Sequence, residues 1–205
     1  MENVKNFLFN KFSVLLTLFI IHTSSTIPTN HTKDLLLNSE KQFLLVLDST
    51  TELKNIIGTT NIDFNALPDE LPLKGIKVTS KFGEYRSYPK KYKHKGVDLA
   101  GKKGTPITAP AEGKIIFTGR MYGYGKTIII QHDNNVVTVY AHLNEINTSI
   151  GLKINKGDII GKLGSTGRST GNHLHYEIRV NNTPIDPEKF TKLSKQISSW
   201  KSHTY

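Results

Sequence analysis

The segment STGNHLHYEIR, Ser169 to Arg179, places His173 and His175 one residue apart inside an alternating run. Alternation of apolar and polar residues reads as a half-buried β-strand, whose side chains two apart point the same way. His173, His175, Glu177 and Arg179 therefore share one face, turned toward solvent or a cleft. Leu174, Tyr176, Ile178 and Val180 share the core face. Two neighbouring imidazoles can serve one metal centre. An H-x-H alone is more simply a polar face, so its weight depends on what accompanies it.

A second element is HKGVD, His94 to Asp98. Extended chain puts His94, Gly96 and Asp98 on one side, with Gly96 leaving space between the two donors. Zinc accepts imidazole nitrogen and carboxylate oxygen at about 2.0–2.2 Å, and three protein ligands with an open position for water define a catalytic site. His94, Asp98 and one member of the H-x-H pair would make three. The chain has no cysteine, so a thiolate site is excluded and any metal must be held by His and carboxylate. A third element, YAHL, puts Thr138, Tyr140 and His142 on one strand face, and His142 is expected beside the H-x-H pair.

Short β-runs with glycine punctuation position these residues. KIIFT, TIIIQH, VVTVYAHL and HLHYEIRV read as strands, with Asp133-Asn134-Asn135 as a hairpin turn between two of them. The expected fold is mainly β: a compact antiparallel β-sandwich or open barrel with glycine-rich turns. TAPAEGKIIFTG and KINKGDIIGKLG share an outline that suggests an internal half-repeat.

The rest of the chain divides by composition. Lys5 and Lys11 precede an apolar run ending at Ile21, then Thr23, Ser24 and Ser25. This is the layout of a secretory signal. Residues 1–25 are therefore expected to direct export, with an uncleaved anchor as the rival reading. Residues 26–71 read as a linker and accessory segment of unassigned role, broken at Pro68 and Pro72. Their apolar spacing does not choose between helix and strand. Residues 72–190 form the expected domain, and 191–205 a basic C-terminal tail. The net charge is +10. Ten Lys or Arg face only Glu84 and Asp98 between positions 74 and 103, which implies an anionic partner or a solvated loop. Nucleic acid is set aside, because aromatic and basic residues are not interleaved as stacking platforms.

Residues 80–190 resemble the lysostaphin-type (LytM-like) peptidoglycan zinc metalloendopeptidases. The likeness runs through SKFGEYR, HKGVDLAGKKGTPITAPAEGKI, YGKTIIIQHDNNVVTVYAHL, KINKGDIIGKLGSTGRSTGNHLHYEIR and TPIDPEKF, in that order. It implies one zinc ion per chain, held by His94, Asp98 and His175, with His142 and His173 catalytic. It implies amide hydrolysis in peptidoglycan cross-links by zinc-held water, in the periplasm or extracellular envelope. Which of His142 and His173 is the base stays open, as does whether Glu177 orients a ligand imidazole or is a solvated charge. Tyr85, Tyr88 and Tyr92 are candidate oxyanion donors or surface residues, and His132 is expected to be structural. Asn172 stands where the family commonly has Pro, with local loop effects expected. Anionic wall polymers are further expected partners of the basic rim, with membrane contact only through the N-terminal segment. The alternative function is a non-catalytic, wall-binding activator of a separate hydrolase. A carrier-module reading of the half-repeat fails for lack of a modifiable Met-Lys-Met turn.

Overall fold

A computed structural model describes residues 30–58, 63–87, 91–132 and 135–202. The expected export signal, Tyr88, and Asp133 and Asn134 of the expected hairpin turn lie outside the described residues. The chain divides into two compact units, Met1–Asp48 and Ser49–Tyr205. The first is described only as the greater part of helix α1 (Asn30–Ile57). The last turns of that helix belong to the second unit, which carries everything below.

In chain order the strands are β1 (Val78–Ser80), β2 (Tyr85–Arg86), β3 (Tyr92–Lys93), β4 (Val97–Ala100), β5 (Pro106–Thr108), β6 (Gly113–Met121) and β7 (Gly125–Gln131). There follow β8 (Val136–Ala141), β9 (Glu145–Ile146), β10 (Lys153–Ile154), β11 (Ile159–Lys162), β12 (His173–Val180) and β13 (Thr183–Ile185), then helix α2 (Pro187–Ser202). The main sheet runs β1-β4-β12-β8-β7-β6-β10, with β13 also on β12; a smaller sheet runs β5-β11-β9, and β2 pairs β3. Every pairing is antiparallel, as the alternating texture predicts. The two similar segments pair with each other in both sheets, β10 with β6 in the main sheet and Ile159 of β11 with Thr108 at the end of β5 in the smaller one.

Period-two alternation sets the core. Leu174, Tyr176 and Ile178 on β12, Tyr140 on β8, and Ile128 and Ile130 on β7 are fully buried. Burial of each such side chain contributes about 1.5–3 kcal/mol. The Tyr140 and Tyr176 rings lie 5.4 Å apart on this face. Helix α2 packs against β12 and buries Phe190, Leu193 and Ile197. The region expected as a basic tail is therefore largely helical. Its start is set by Asp186, whose Oδ1 accepts the backbone N–H groups of Glu188 and Lys189 at 3.0 and 3.4 Å, with Pro187 at the first helical position.

The accessory segment also resolves as helix. No Gly or Pro interrupts Asn30–Ile57, and Gly58 ends it in the left-handed conformation, its N–H donating to Lys54 O at 2.8 Å. Within the second unit, Ser49, Thr50, Leu53 and Ile57 are buried. Two of these four are polar, which conceals the stripe from a count of apolar residues.

Candidate metal centre and active site

Strand register brings the first two donors together. On β4 and β12, Asp98 is the cross-strand partner of His175, so their side chains stand side by side on one face. His94 reaches the same point from just before β4. His94 Nε2, Asp98 Oδ1 and His175 Nδ1 form a triangle with edges of 3.0, 3.0 and 3.1 Å. Between His94 and Asp98, a Cβ on Gly96 would overlap the Tyr176 carbonyl. Gly96 therefore serves the close approach of the chain to β12, beyond the expected gap between donors.

Hydrogen bonds fix which nitrogens carry protons. His94 Nδ1–H donates to Lys81 O at 2.9 Å, and His175 Nε2–H donates to Glu177 Oε1 at 2.9 Å. A carbonyl and a carboxylate only accept, so each neutral ring turns its bare nitrogen to the triangle. Two imidazole lone pairs and a carboxylate oxygen then converge with no proton between them, an arrangement that calls for a cation. With no ion bound, a proton taken up on His175 Nδ1 would fill this gap: burial disfavours charge on both groups, yet Asp98 and Glu177 raise the His175 proton affinity, and imidazoles protonated toward it would hold the Asp98 carboxyl well below its usual range. The three donors are of the hard and borderline type that zinc accepts, and all three could ligate one ion.

Behind the triangle lies a buried polar network. Glu177 is fully buried, so the solvated-charge reading does not hold. Besides His175 it accepts Tyr124 Oη–H at 2.7 Å and Arg179 Nε–H at 2.7 Å. Burial resists its charge, but these donors keep its pKa below the ordinary glutamate value. Burial and the adjacent Glu177 push the Tyr124 phenol upward, so Tyr124 remains a donor. On the other side, Arg86 Nη2 donates to Asp98 Oδ2 at 2.6 Å. Together these contacts orient each donor from behind.

His142 and His173 stand beside the triangle, their ring centres 4.7 Å apart. His142 follows β8 in the left-handed region, at φ 62°, a conformation that costs a non-glycine residue and recurs at functional sites. Its Nδ1–H donates to Thr166 O at 2.7 Å, leaving Nε2 bare. Burial pushes its pKa down to about 4. His173 Nδ1–H donates to Gly171 O at 3.0 Å, and its Nε2 lies 3.8 Å from Asp98 Oδ1. All five residues singled out in the sequence thus meet in one place. His132 lies elsewhere, between Glu112 O and Thr138 Oγ1. Tyr85 and Tyr92 are exposed. The Asn172 carbonyl accepts the Gly101 N–H at 3.4 Å, so that position joins two loops.

Arg86, Tyr124 and Thr166 were not singled out by the sequence. Arg86 lies within a motif of the resemblance, SKFGEYR, yet only the fold brings its guanidinium to Asp98. Tyr124 belongs to a glycine turn that gives no sign of a buried acid behind it.

The peptidase family M23 pattern matches residues 92–187, a span containing all five residues. The catalytic domain of the antimicrobial peptidase lysostaphin from Staphylococcus simulans is 36% identical, with a TM-score of 0.54, over 57% of this chain and 92% of that domain. This chain belongs to peptidase family M23. Among other M23-like proteins, the DD-carboxypeptidase/endopeptidase Mpg of Neisseria meningitidis serogroup B (strain ATCC 13091 / M2091) is 46% identical over 57% of this chain and 27% of its own length. The peptidoglycan DD-endopeptidase ShyA of Vibrio cholerae serotype O1 (strain ATCC 39315 / El Tor Inaba N16961) is 36% identical over 55% and 27%. The chain thus spans about a quarter of the length of these curated relatives. M23 metallopeptidases are zinc-dependent.

Proposed function

We propose that this chain is a zinc-dependent endopeptidase that hydrolyses the peptide cross-links of bacterial peptidoglycan. The observation that carries the reading is the convergence of three donor atoms, within 3.1 Å of one another, beside two further imidazoles. Family membership and the names of the relatives point the same way.

In this reading His94, Asp98 and His175 hold zinc, while His142 and His173 move protons. When bound, zinc supplies Lewis acidity and brings the pKa of water to roughly 7. Thr166 O fixes the His142 ring, and Gly171 O fixes the His173 ring, by their Nδ1–H groups. Each ring then offers Nε2 as an acceptor. The lowered pKa of His142 keeps it neutral near pH 7, in the form able to take a proton. The ring that takes the proton becomes an N–H donor and can return it to the leaving amine.

The relatives named as DD-endopeptidases favour D,D-cross-links over glycine bridges as the substrate. Action on peptidoglycan implies the cell envelope, reached by way of residues 1–25. Among the described residues no helix is long and apolar enough to cross a membrane. Lys91 and Lys93 stand 5.3 and 5.6 Å from the exposed Tyr85 ring centre, a basic rim suited to anionic wall polymers. The wall-binding activator reading has no observation in its favour, since none of the five residues is missing.

Digestion of purified sacculi tests the reading. Sacculi with direct D,D-cross-links should release cross-link-cleaved stem peptides, a chelator should stop the release, and added zinc should restore it. Release that is indifferent to chelator, or no release at all, would overturn it.

A further inference from the structure

The segment from Ser165 to Gly171 carries both carbonyls that fix the paired imidazoles, Thr166 O on His142 and Gly171 O on His173. Its position is set by tight packing on the β6–β7 turn. Gly167 is in the left-handed region, and a Cβ there would overlap Gly125. Thr166 Oγ1 accepts Lys126 N–H at 2.9 Å, and Arg168 N–H donates to Gly123 O at 2.9 Å.

Arg168 stands between the two positioning carbonyls. Only Gly167 separates it from Thr166, so their Cα atoms lie within about 7 Å. Its side chain is exposed, yet it is not loose. The guanidinium centre sits 4.8 Å from the ring centre of Tyr122, and Nη2 donates to Tyr122 Oη. Tyr122 is itself 86% exposed. Among the described residues Arg168 makes no ion pair with an acidic side chain. A cation held against an exposed ring and its hydroxyl, with N–H groups to spare and no carboxylate of its own, is preorganised to receive one.

We infer that Arg168, shelved on Tyr122 at the rim of the site, binds a free carboxylate of the substrate peptide beside the scissile bond and so selects acidic stem peptides over neutral ones. This rests on the peptidase reading above. Peptide stems carry such carboxylates, and a guanidinium accepts them in a planar, paired geometry that an amide cannot match. The same loop that aims the two histidines thereby registers the substrate against them.

The test uses the zinc-loaded full chain and two cross-linked peptides of identical skeleton, one with free carboxylates and one with those groups amidated. Each is also made with the scissile amide N-methylated, so that binding is measured without turnover. The wild type should bind the free-carboxylate analogue about 10–100-fold more tightly than the amidated one, the range expected for a charged hydrogen-bonded pair. Arg168→Gln should erase that preference, leave affinity for the amidated analogue unchanged and keep full zinc content. Arg168→Lys should restore part of the preference. Equal losses on both analogues, no preference in the wild type, or no binding of either would overturn the inference. A wild type that shows the preference yet cleaves neither unmethylated peptide would instead overturn the peptidase reading and leave the carboxylate site standing.

Discussion

Asp98 and His175 face each other across β4 and β12, with Oδ1 and Nδ1 3.0 Å apart although they stand 77 positions apart in the chain. Strand register alone achieves this. A one-residue slip would turn either side chain to the opposite face, so the centre depends on the sheet being correctly paired.

Gly96→Ala tests that dependence. The added methyl would overlap the Tyr176 carbonyl and force the chain off β12. We expect a loss of about 2–3 kcal/mol in unfolding free energy, together with weakened zinc binding, by denaturant titration of the metal-loaded protein. Unchanged stability would show that β12 yields at this point.

The ligand and proton-transfer roles separate by mutation. His175→Ala should lose both zinc and activity. His142→Ala should keep its zinc and lose about 10²–10⁴-fold in kcat. Metal content and initial rates on sacculi, measured on the same preparations, decide between them. A His142→Ala protein digesting at the wild-type rate would remove that residue from the mechanism.

Glu177→Gln probes the network behind the metal. The amide oxygen can still accept His175 Nε2–H, but the charge that opposes Arg179 is gone. Zinc affinity should fall about 10–100-fold while the protein stays folded, as read by competition with a chromophoric chelator. Wild-type affinity would show that Glu177 serves packing alone.

How much of this was legible beforehand follows from the length scale of each contact. Alternation in HLHYEIRV discloses the pairing of His173 with His175 because period-two geometry is local. His94, Asp98 and His142 become members of the site through short motifs whose order matches a known family. Arg86, Tyr124 and Thr166 contribute through one guanidinium, one phenol and one carbonyl, and nothing near them in the chain announces their distant partners. Helix α1 was ambiguous because its buried stripe includes Ser49 and Thr50. Helix α2 was missed because its charged residues read as a tail, although Asp186-Pro187 carries a start signal.

Acid should weaken the fold as well as the activity. Burial lowers the pKa of His142 from 6.5 to about 4, so between those values the unfolded chain binds more protons than the folded one. Stability therefore rises with pH across that window and is lost as pH falls through it. Thermal unfolding from pH 7 to pH 4 should show His142→Gln less acid-sensitive than the wild type. Parallel curves would assign the acid limb to other groups.

The central claim is that His94, Asp98 and His175 share one zinc ion. Anomalous diffraction at the zinc edge, from crystals of the metal-loaded chain, tests it most directly. We expect one peak about 2.0–2.2 Å from His94 Nε2, an Asp98 carboxylate oxygen and His175 Nδ1. A zinc peak elsewhere, or none between these three side chains, would contradict the account.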